Sequence, residues 1–175
     1  NLRRNLCLVL AGGWDARVEE NRAVYRELEQ LVSELGLTES VVLARNVSTA
    51  LKLELLANTI ALVYTPKHEH FGIVPIEAMM FGKPVVASSS DGGPKETVLD
   101  GETGFLCEDS ADEFGGAMLA LLDSEKARVM GLCAQTHASG LFGPEEFKRR
   151  LCAIVSRLAS GDSAHCSPPR TPPKN

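Results

Sequence analysis

Two carboxylates near the middle of the chain, Glu69 and Glu77, are separated by seven residues that include a glycine and a proline. A strand-like run at residues 59–64 precedes them, and residues 77–81 are typical of a helix. The first N–H groups of a helix have no partner within it, so a helix that starts after a strand can bind a phosphate. Carboxylates beside such a phosphate site can accept hydrogen bonds from sugar hydroxyls. The spacing therefore predicts a nucleotide-sugar site.

Several of these residues also have a plainer structural interpretation. We expect Pro75 at the first position of the helix, which would put Glu77 at the third, where the helix dipole and capping favour a carboxylate. His70 could be an ordinary surface residue, and Phe71 could simply fill the core. Gly72 is different, because a glycine just before a helix lets a ligand approach the backbone closely. For Glu77, a structural and a functional role both stay open.

Two further glycine turns follow predicted strands. Gly12 and Gly13 end the first apolar run of the chain, and a turn at residues 91–94 follows a later one. In a parallel α/β sheet, the loops that follow strands lie at the carboxyl edge, where ligands bind. We therefore expect both turns and the Glu69 loop at the same edge. Gly12 and Gly13 lack the third glycine of a dinucleotide fingerprint, which argues against NAD.

Strand-like and helical segments alternate along the chain, which predicts an α/β fold with a Rossmann-like parallel sheet covered by helices on both faces. The continuous apolar runs at 6–11 and 84–88 are typical of strands buried on both faces. We expect one domain over residues 1–159 and a disordered tail, rich in proline and serine, at 160–175. The other predicted strands are 41–44, 59–64 and 104–107, and the longer predicted helices are 18–35, 49–57, 111–122, 125–139 and 144–158.

Composition narrows the class of protein. The 175 residues are enough to bury a core, and a net charge of −5 argues against a nucleic-acid binder. The five cysteines form no CxxC pair, which argues against a zinc site or a disulfide framework and fits a reducing, cytosolic environment. No apolar run approaches the roughly 20 residues that span a bilayer. Without an initiator methionine or a signal peptide, the chain is expected to be part of a longer protein.

These motifs resemble those of the retaining glycosyltransferases of family 4, which have the GT-B fold. The resemblance covers about residues 6–159, and residues 11–21 and 64–75 most resemble the eukaryotic branch that mannosylates a dolichol-diphosphate-linked oligosaccharide. The segments that carry it, in the family's order, are Ala11-Gly12-Gly13, Glu69-His70-Phe71-Gly72-Ile73-Val74-Pro75-Ile76-Glu77-Ala78-Met79, Gly82-Lys83-Pro84-Val85-Val86-Ala87, Gly92-Gly93-Pro94-x-Glu96 and Gly101-x-Thr103-Gly104-Phe105-Leu106.

The resemblance implies that this chain is the C-terminal, donor-binding half of such an enzyme. Glu69 would be the catalytic carboxylate that contacts the transferred sugar, and Glu77 would hold the ribose. Residues 45–48 would line the pocket for the base. The residues that the resemblance assigns to donor binding are Gly12, Gly13, Val47, His70, Phe71, Gly72, Ile73, Val74 and Glu77.

The implied donor is GDP-mannose, transferred with retention and without a metal ion or another cofactor. The implied acceptor is a lipid-linked oligosaccharide on the cytosolic face of the endoplasmic reticulum membrane. The family binds it through an N-terminal domain, and neutralises the diphosphate with an Arg/Lys pair just upstream of Leu6; these 175 residues contain neither. We therefore expect the fragment alone to be inactive. Two alternatives stay open: an enzyme of the same fold with another donor such as UDP-glucose, and a truncated product that only binds nucleotide or interacts with partners.

Overall fold

The chain folds into two compact units, one up to Asn58 and one from Thr59. The structure, a computed structural model, describes residues 6–67, 70–90 and 92–160. Residues 161–175 of the predicted tail lie outside the described residues. Each unit contains a parallel sheet with helical connections, so the predicted α/β class is confirmed.

The first unit is a strand–helix–strand segment followed by a helix. Its elements, in chain order, are β1 (Leu8–Gly12), α1 (Glu19–Glu34), β2 (Val41–Arg45) and α2 (Thr49–Asn58). The two strands run in parallel, with Leu8 opposite Val41 and Gly12 opposite Arg45. Since a parallel pair needs a crossover connection, α1 returns the chain to the other end and both strands finish at the same edge.

The second unit holds a three-stranded parallel sheet in the order β3-β4-β5. Its elements are β3 (Leu62–Tyr64), α3 (Ile73–Met80), β4 (Val85–Ser88), α4 (Gly93–Thr97), β5 (Gly104–Cys107), α5 (Ala111–Ala120), α6 (Ser124–Phe142) and α7 (Pro144–Ala159). Tyr64 lies opposite Ala87, and Ser88 lies opposite Cys107. The three carboxyl ends therefore lie at one edge of this sheet, which is where the loops with the predicted site residues begin.

The core of the second unit is built around its central strand, β4, of which all four residues are buried. Ala78 and Met79 of α3 have no exposed surface, and α6 packs against α3, where Gln135 Nε2 donates to the Met80 carbonyl oxygen at 2.9 Å. Burial of this apolar surface holds α3 firmly against the sheet. A cluster that joins β4 and β5 to α5 and α6 consists of Val86, Cys107, Ala117, Leu121, Ala127 and Met130.

The last helix, α7, begins with an ion-pair network. Glu146 accepts two hydrogen bonds from Arg149, at 2.7 and 2.6 Å, and one from Arg150 Nε at 2.5 Å. The hydrogen bonds from Arg149 have the largest effect and the one from Arg150 the next largest, and they lower the pKa of Glu146 to about 2.

Among the described residues, no helix is both long and apolar enough to cross a bilayer.

Candidate functional site

Helix α3 begins two residues earlier than its sequence suggested. Its first residue is Ile73, and its N-cap is Gly72, whose backbone adopts a left-handed conformation with φ 72° and ψ 77°. Pro75 is therefore the third helical residue and Glu77 the fifth, so the expected positions, first and third, are wrong. Proline is tolerated at the third position as well, because the N–H groups of the whole first turn have no intrahelical partner.

This start changes the interpretation of Glu77. The first turn of α3 contains no acidic residue, and the favourable effect of the helix dipole on a carboxylate fades beyond that turn. The capping explanation for Glu77 therefore loses its basis. Glu77 is half-buried and lies one turn after Ile73, on the same face of α3. The Cα–Cβ bond of a helical residue tilts toward the N-terminus, so Glu77 is on the side of α3 from which a side chain can reach the start of the helix.

The amides that open α3 belong to Gly72, Ile73 and Val74, and Pro75 has no N–H. Helix geometry leaves these first donors without intrahelical partners, and the positive end of the helix dipole lies beside them. Gly72 is buried, Val74 is half-buried and Ile73 is 64% exposed, so the start of the helix reaches the surface of the unit. Such a group of donors is suited to an anionic oxygen, above all that of a phosphate.

The loops after β3 and β4 are in direct backbone contact. A Cβ atom on Gly93 would lie 1.8 Å from the carbonyl oxygen of Phe71 and 2.3 Å from its Cα, so only glycine fits there. The ring of Phe71 makes an edge contact with Phe142 at the end of α6, with 5.9 Å between the ring centres. Within the second unit, the expectation that these two loops meet at the carboxyl edge is confirmed; Asp91 lies outside the described residues.

A third segment reaches this edge through Asp109, two residues after β5. Its Oδ1 accepts a hydrogen bond from Ser88 Oγ at 2.6 Å, and its Oδ2 lies 3.1 Å from Lys67 Nζ. Ser88 is only 2% exposed, and its hydroxyl also contacts Ser90 Oγ at 2.6 Å. The hydrogen bond from Ser88 has the largest effect and the one from Lys67 the next largest, and they hold the pKa of Asp109 below its ordinary value. A charged carboxylate thus connects the ends of all three strands.

Two other predicted residues lie in the loop before α3. His70 is exposed, and Phe71 is 45% exposed, so Phe71 fills the core only in part. Glu69, the predicted catalytic carboxylate, lies outside the described residues, and its role stays a prediction.

The predicted residues of the first unit lie around the carboxyl ends of its strands. Gly12 ends β1, and its carbonyl oxygen accepts a hydrogen bond from Asn46 N at 2.9 Å. A Cβ atom on Gly12 or Gly13 would meet no atom within 4 Å, so packing within the chain does not require glycine at either position. Val47 is half-buried and follows β2 by two residues.

Beside these glycines, Trp14 is fixed to the end of β2. Trp14 N donates to Asn46 Oδ1 at 2.8 Å, and Asn46 Nδ2 donates back to the Trp14 carbonyl oxygen at 2.7 Å. The guanidinium carbon of Arg45 lies 4.5 Å from the centre of the Trp14 ring and 4.7 Å from that of Tyr25, within the range of cation–π attraction. The sequence contains no local signal for this cluster, because Trp14 and Asn46 are 32 residues apart.

The family of the chain follows from comparison with known proteins. The family described as glycosyl transferases group 1 matches residues 1–131, about three quarters of the chain. The chain belongs to this family of glycosyltransferases.

Its curated relatives include mannosyltransferases. Alpha-1,3/1,6-mannosyltransferase ALG2 of Homo sapiens is 39% identical over 152 residues, which are 86% of this chain and 36% of the human protein. The protein of the same name from Dictyostelium discoideum is 38% identical over the same shares. The predicted resemblance to this family and its mannosyltransferase branch is confirmed. The chain spans little more than a third of the length of these relatives.

Solved structures agree on the fold. Sucrose-phosphate synthase from Thermosynechococcus elongatus matches with a TM-score of 0.72 and 30% identity, over 89% of this chain and 39% of that protein. Anabaena Alr3699/HepE, solved in complex with UDP and glucose, matches with a TM-score of 0.75 and 28% identity, over 87% of this chain and 41% of that one. These neighbours are GT-B glycosyltransferases, so the predicted relation to the GT-B fold is confirmed.

Proposed function

We propose that the chain is the donor-binding part of a retaining glycosyltransferase and that its donor is GDP-mannose. The observation that carries the proposal is the arrangement at the carboxyl edge of the second unit. There the start of α3 offers backbone donors, the backbone of Phe71 contacts Gly93, and Glu77 lies one turn into the helix, four residues after Ile73. The mannosyltransferase relatives support mannose as the sugar.

In the proposed complex, the diphosphate binds at the backbone amides of Gly72, Ile73 and Val74. Glu77 accepts hydrogen bonds from the ribose hydroxyls, and His70 and Phe71 border the sugar. Glu69 contacts the transferred mannose near the reaction centre. The helix N-terminus supplies positive potential where other enzymes use a cation, which is why no metal ion is included.

The residues of the first unit enter the proposal on the resemblance alone. Gly12 and Gly13 would allow a ligand to approach the backbone, which agrees with the open space beside both glycines. Val47 would contact the base. A variant with a polar side chain of similar size, Val47→Thr, should therefore weaken nucleotide binding.

For the parent enzyme, we propose that the acceptor is a dolichol-diphosphate-linked oligosaccharide on the cytosolic face of the endoplasmic reticulum. Acceptor binding and catalysis would need the other part of such an enzyme, since both reactants must be held together for transfer. The resemblance assigns neutralisation of the diphosphate to an Arg/Lys pair upstream of Leu6, and the proposal therefore expects weak donor binding by residues 6–159 themselves.

Calorimetric titration of the 175-residue chain tests the donor proposal. GDP and GDP-mannose should bind with similar weak affinity, UDP and UDP-glucose more weakly still, and NAD not at all. Tighter binding of NAD than of GDP would overturn the proposal.

UDP-glucose is the second candidate donor, because Anabaena Alr3699/HepE, which is 29% identical over 87% of this chain, was also solved in complex with UDP-glucose. Preferential binding of UDP-glucose in the same titration would favour this candidate and reject GDP-mannose.

A further inference from the structure

We propose that Arg45 selects the base of the donor by binding the edge of guanine that carries the O6 and N7 atoms. The proposal rests on the proposed function, which assigns the base to the first unit and the diphosphate to the start of α3. Arg45 distinguishes GDP-mannose from UDP-glucose, the two candidate donors. It determines specificity and takes no part in the transfer reaction itself.

Arg45 is the last residue of β2, at the carboxyl edge of the first unit. Gly12, the last residue of β1, lies opposite it in the parallel pair. Ligands of parallel α/β folds bind at this edge, and the space beside Gly12 is open, because a Cβ atom there would meet nothing within 4 Å. Val47, which the proposed function assigns to the base, follows Arg45 by two residues. Arg45 therefore lies where the base is expected.

Two half-buried aromatic rings restrain the Arg45 guanidinium. Its central carbon lies 4.5 Å from the centre of the Trp14 ring and 4.7 Å from that of the Tyr25 ring. The two rings are themselves in edge contact, with 6.4 Å between their centres. The cation–π contacts hold the side chain although Arg45 is exposed. Binding to a restrained guanidinium costs less conformational entropy than binding to one that moves freely.

The turn that follows Arg45 is fixed as well. Asn46 adopts a left-handed backbone conformation with φ 51°, which asparagine tolerates better than most residues. Its side-chain amide forms two hydrogen bonds with the backbone of Trp14, at 2.8 and 2.7 Å. The backbone after Arg45 and the Arg45 side chain are thus both held against Trp14. The guanidinium consequently has a restricted position at the edge of the sheet.

The N–H donors of Arg45 are available to a ligand. Within residues 6–67, 70–90 and 92–160, the guanidinium has the two ring contacts and no hydrogen bond or ion pair. Two other arginines of the same unit differ in this respect, because Arg17 pairs with Asp15 and Arg22 pairs with Glu19. Arg45 thus combines a restrained position with five donors that the described part of the chain does not use.

The shape of the guanidinium matches guanine better than the other common bases. Guanine carries two acceptors, O6 and N7, side by side on one edge, and two parallel N–H groups of arginine can donate to both. Adenine has a donor in place of O6, and on uracil O4 lies beside a C–H group, so only one such hydrogen bond can form. A well-formed pair of this kind discriminates between bases by about 5- to 150-fold. Because Arg45 is exposed, we expect the lower half of this range, about 5- to 30-fold.

The experiment is a calorimetric titration of the 175-residue chain with nucleoside diphosphates that differ at single positions of the base. Inosine diphosphate (IDP) lacks the exocyclic amino group of GDP but keeps O6 and N7, whereas 7-deaza-GDP lacks N7; UDP completes the series. Each titration is repeated with Arg45→Met, which keeps the apolar part of the side chain, and with Arg45→Lys, which keeps the charge. Arg26→Met is the matched control, because it removes an exposed arginine from the middle of α1. Melting temperatures verify that every variant is folded.

For the wild-type chain, we expect GDP and IDP to bind equally well, 7-deaza-GDP about three- to tenfold more weakly and UDP about 5- to 30-fold more weakly. Arg45→Met and Arg45→Lys should lose the preference for GDP with little change in their affinity for UDP, and the control should match the wild type. Equal losses for GDP and UDP would indicate a phosphate contact and overturn the role of Arg45, as would weaker binding of IDP than of GDP by the wild type.

The same titrations separate this role from the proposed function. A preference for GDP that survives in Arg45→Met would refute base selection by Arg45 and leave GDP-mannose as the donor. A wild-type chain that binds none of the nucleotides, or that prefers UDP, would refute the proposed donor itself, and the role of Arg45 with it.

Discussion

Replacing Gly93 by alanine perturbs the contact on which the candidate site depends. The added Cβ atom would lie 1.8 Å from the carbonyl oxygen of Phe71, whereas real Cβ atoms do not come within 3.0 Å of another atom. The separation must therefore grow by at least 1.2 Å. Since both sides of the contact are backbone, no side chain can rotate away, and the shift must displace the loop ahead of α3 or the start of α4.

Forcing an extra carbon into such a packed contact typically costs about 1–3 kcal/mol, and we expect the upper half of that range for a backbone clash. The free energy of unfolding, from urea titrations followed by far-ultraviolet circular dichroism, measures this cost. Donor binding should fall as well, because the displaced backbone belongs to the candidate site. A displacement of about 1 Å at a positioning element can lower the rate of an aligned reaction about 100-fold. For donor affinity, we expect a loss of at least about tenfold.

Gly116→Ala is the matched control for this variant. Gly116 lies within α5, and a Cβ atom there would meet nothing within 4 Å. The same chemical change should therefore raise the free energy of unfolding by about 0.5–1 kcal/mol, because alanine favours the helix. If Gly93→Ala were as stable as wild type and bound donor equally well, the close approach of the two loops could not be what shapes the site.

Three further results are expected. Glu77→Gln should weaken donor binding about 10- to 100-fold and leave the melting temperature unchanged, since a hydrogen bond to a charged group contributes about 1.5–3 kcal/mol. Calorimetry measures the affinity and thermal melting measures the stability. A lower melting temperature with unchanged affinity would restore the capping role of Glu77. In a parent enzyme with both halves, steady-state kinetics should show that Glu69→Gln mainly lowers kcat, whereas Glu77→Gln mainly raises the donor KM; the reverse assignment would contradict the proposed roles. Because the pKa of Glu146 is about 2 in the folded state and about 4.3 when unfolded, its stabilising effect should be complete above pH 5 and be lost as the pH falls toward 2. Urea midpoints of wild type and Glu146→Gln should therefore converge at low pH, and a constant difference would disprove the link.

The elements of the fold could be predicted where the signals were local. Strand β4 was expected to be buried, and all four of its residues are, because α3 and α5 pack against it and a strand pairs with each of its edges. The same apolar pattern overestimated the burial of β1: Leu10 is 36% exposed, and within the described part of the chain β1 pairs only with β2. A continuous apolar run thus identifies a strand without showing how much of its surface other elements will cover.

The candidate site was predictable in part for the same reason. Gly72 and Glu77 lie in one continuous motif, so their type and spacing were enough to propose them as site residues. The contact between Ser88 and Asp109 joins residues 21 positions apart, and nothing in either segment marks the other. The start of α3 was misplaced because a proline is compatible with any position of the first turn. Pairing across the ends of strands depends on the sheet order, which local patterns do not specify.

Trp14 is the single tryptophan of the chain, and it lies in the first unit, fixed to Asn46 and beside the Arg45 guanidinium. Its fluorescence therefore reports on that unit alone, whereas most of the helical circular dichroism comes from the second unit. Denaturation curves recorded with both signals would coincide if the units unfold together and would separate if each unfolds by itself. The protein thus carries an intrinsic optical label on one of its two units, and folding of that unit can be followed without an added probe.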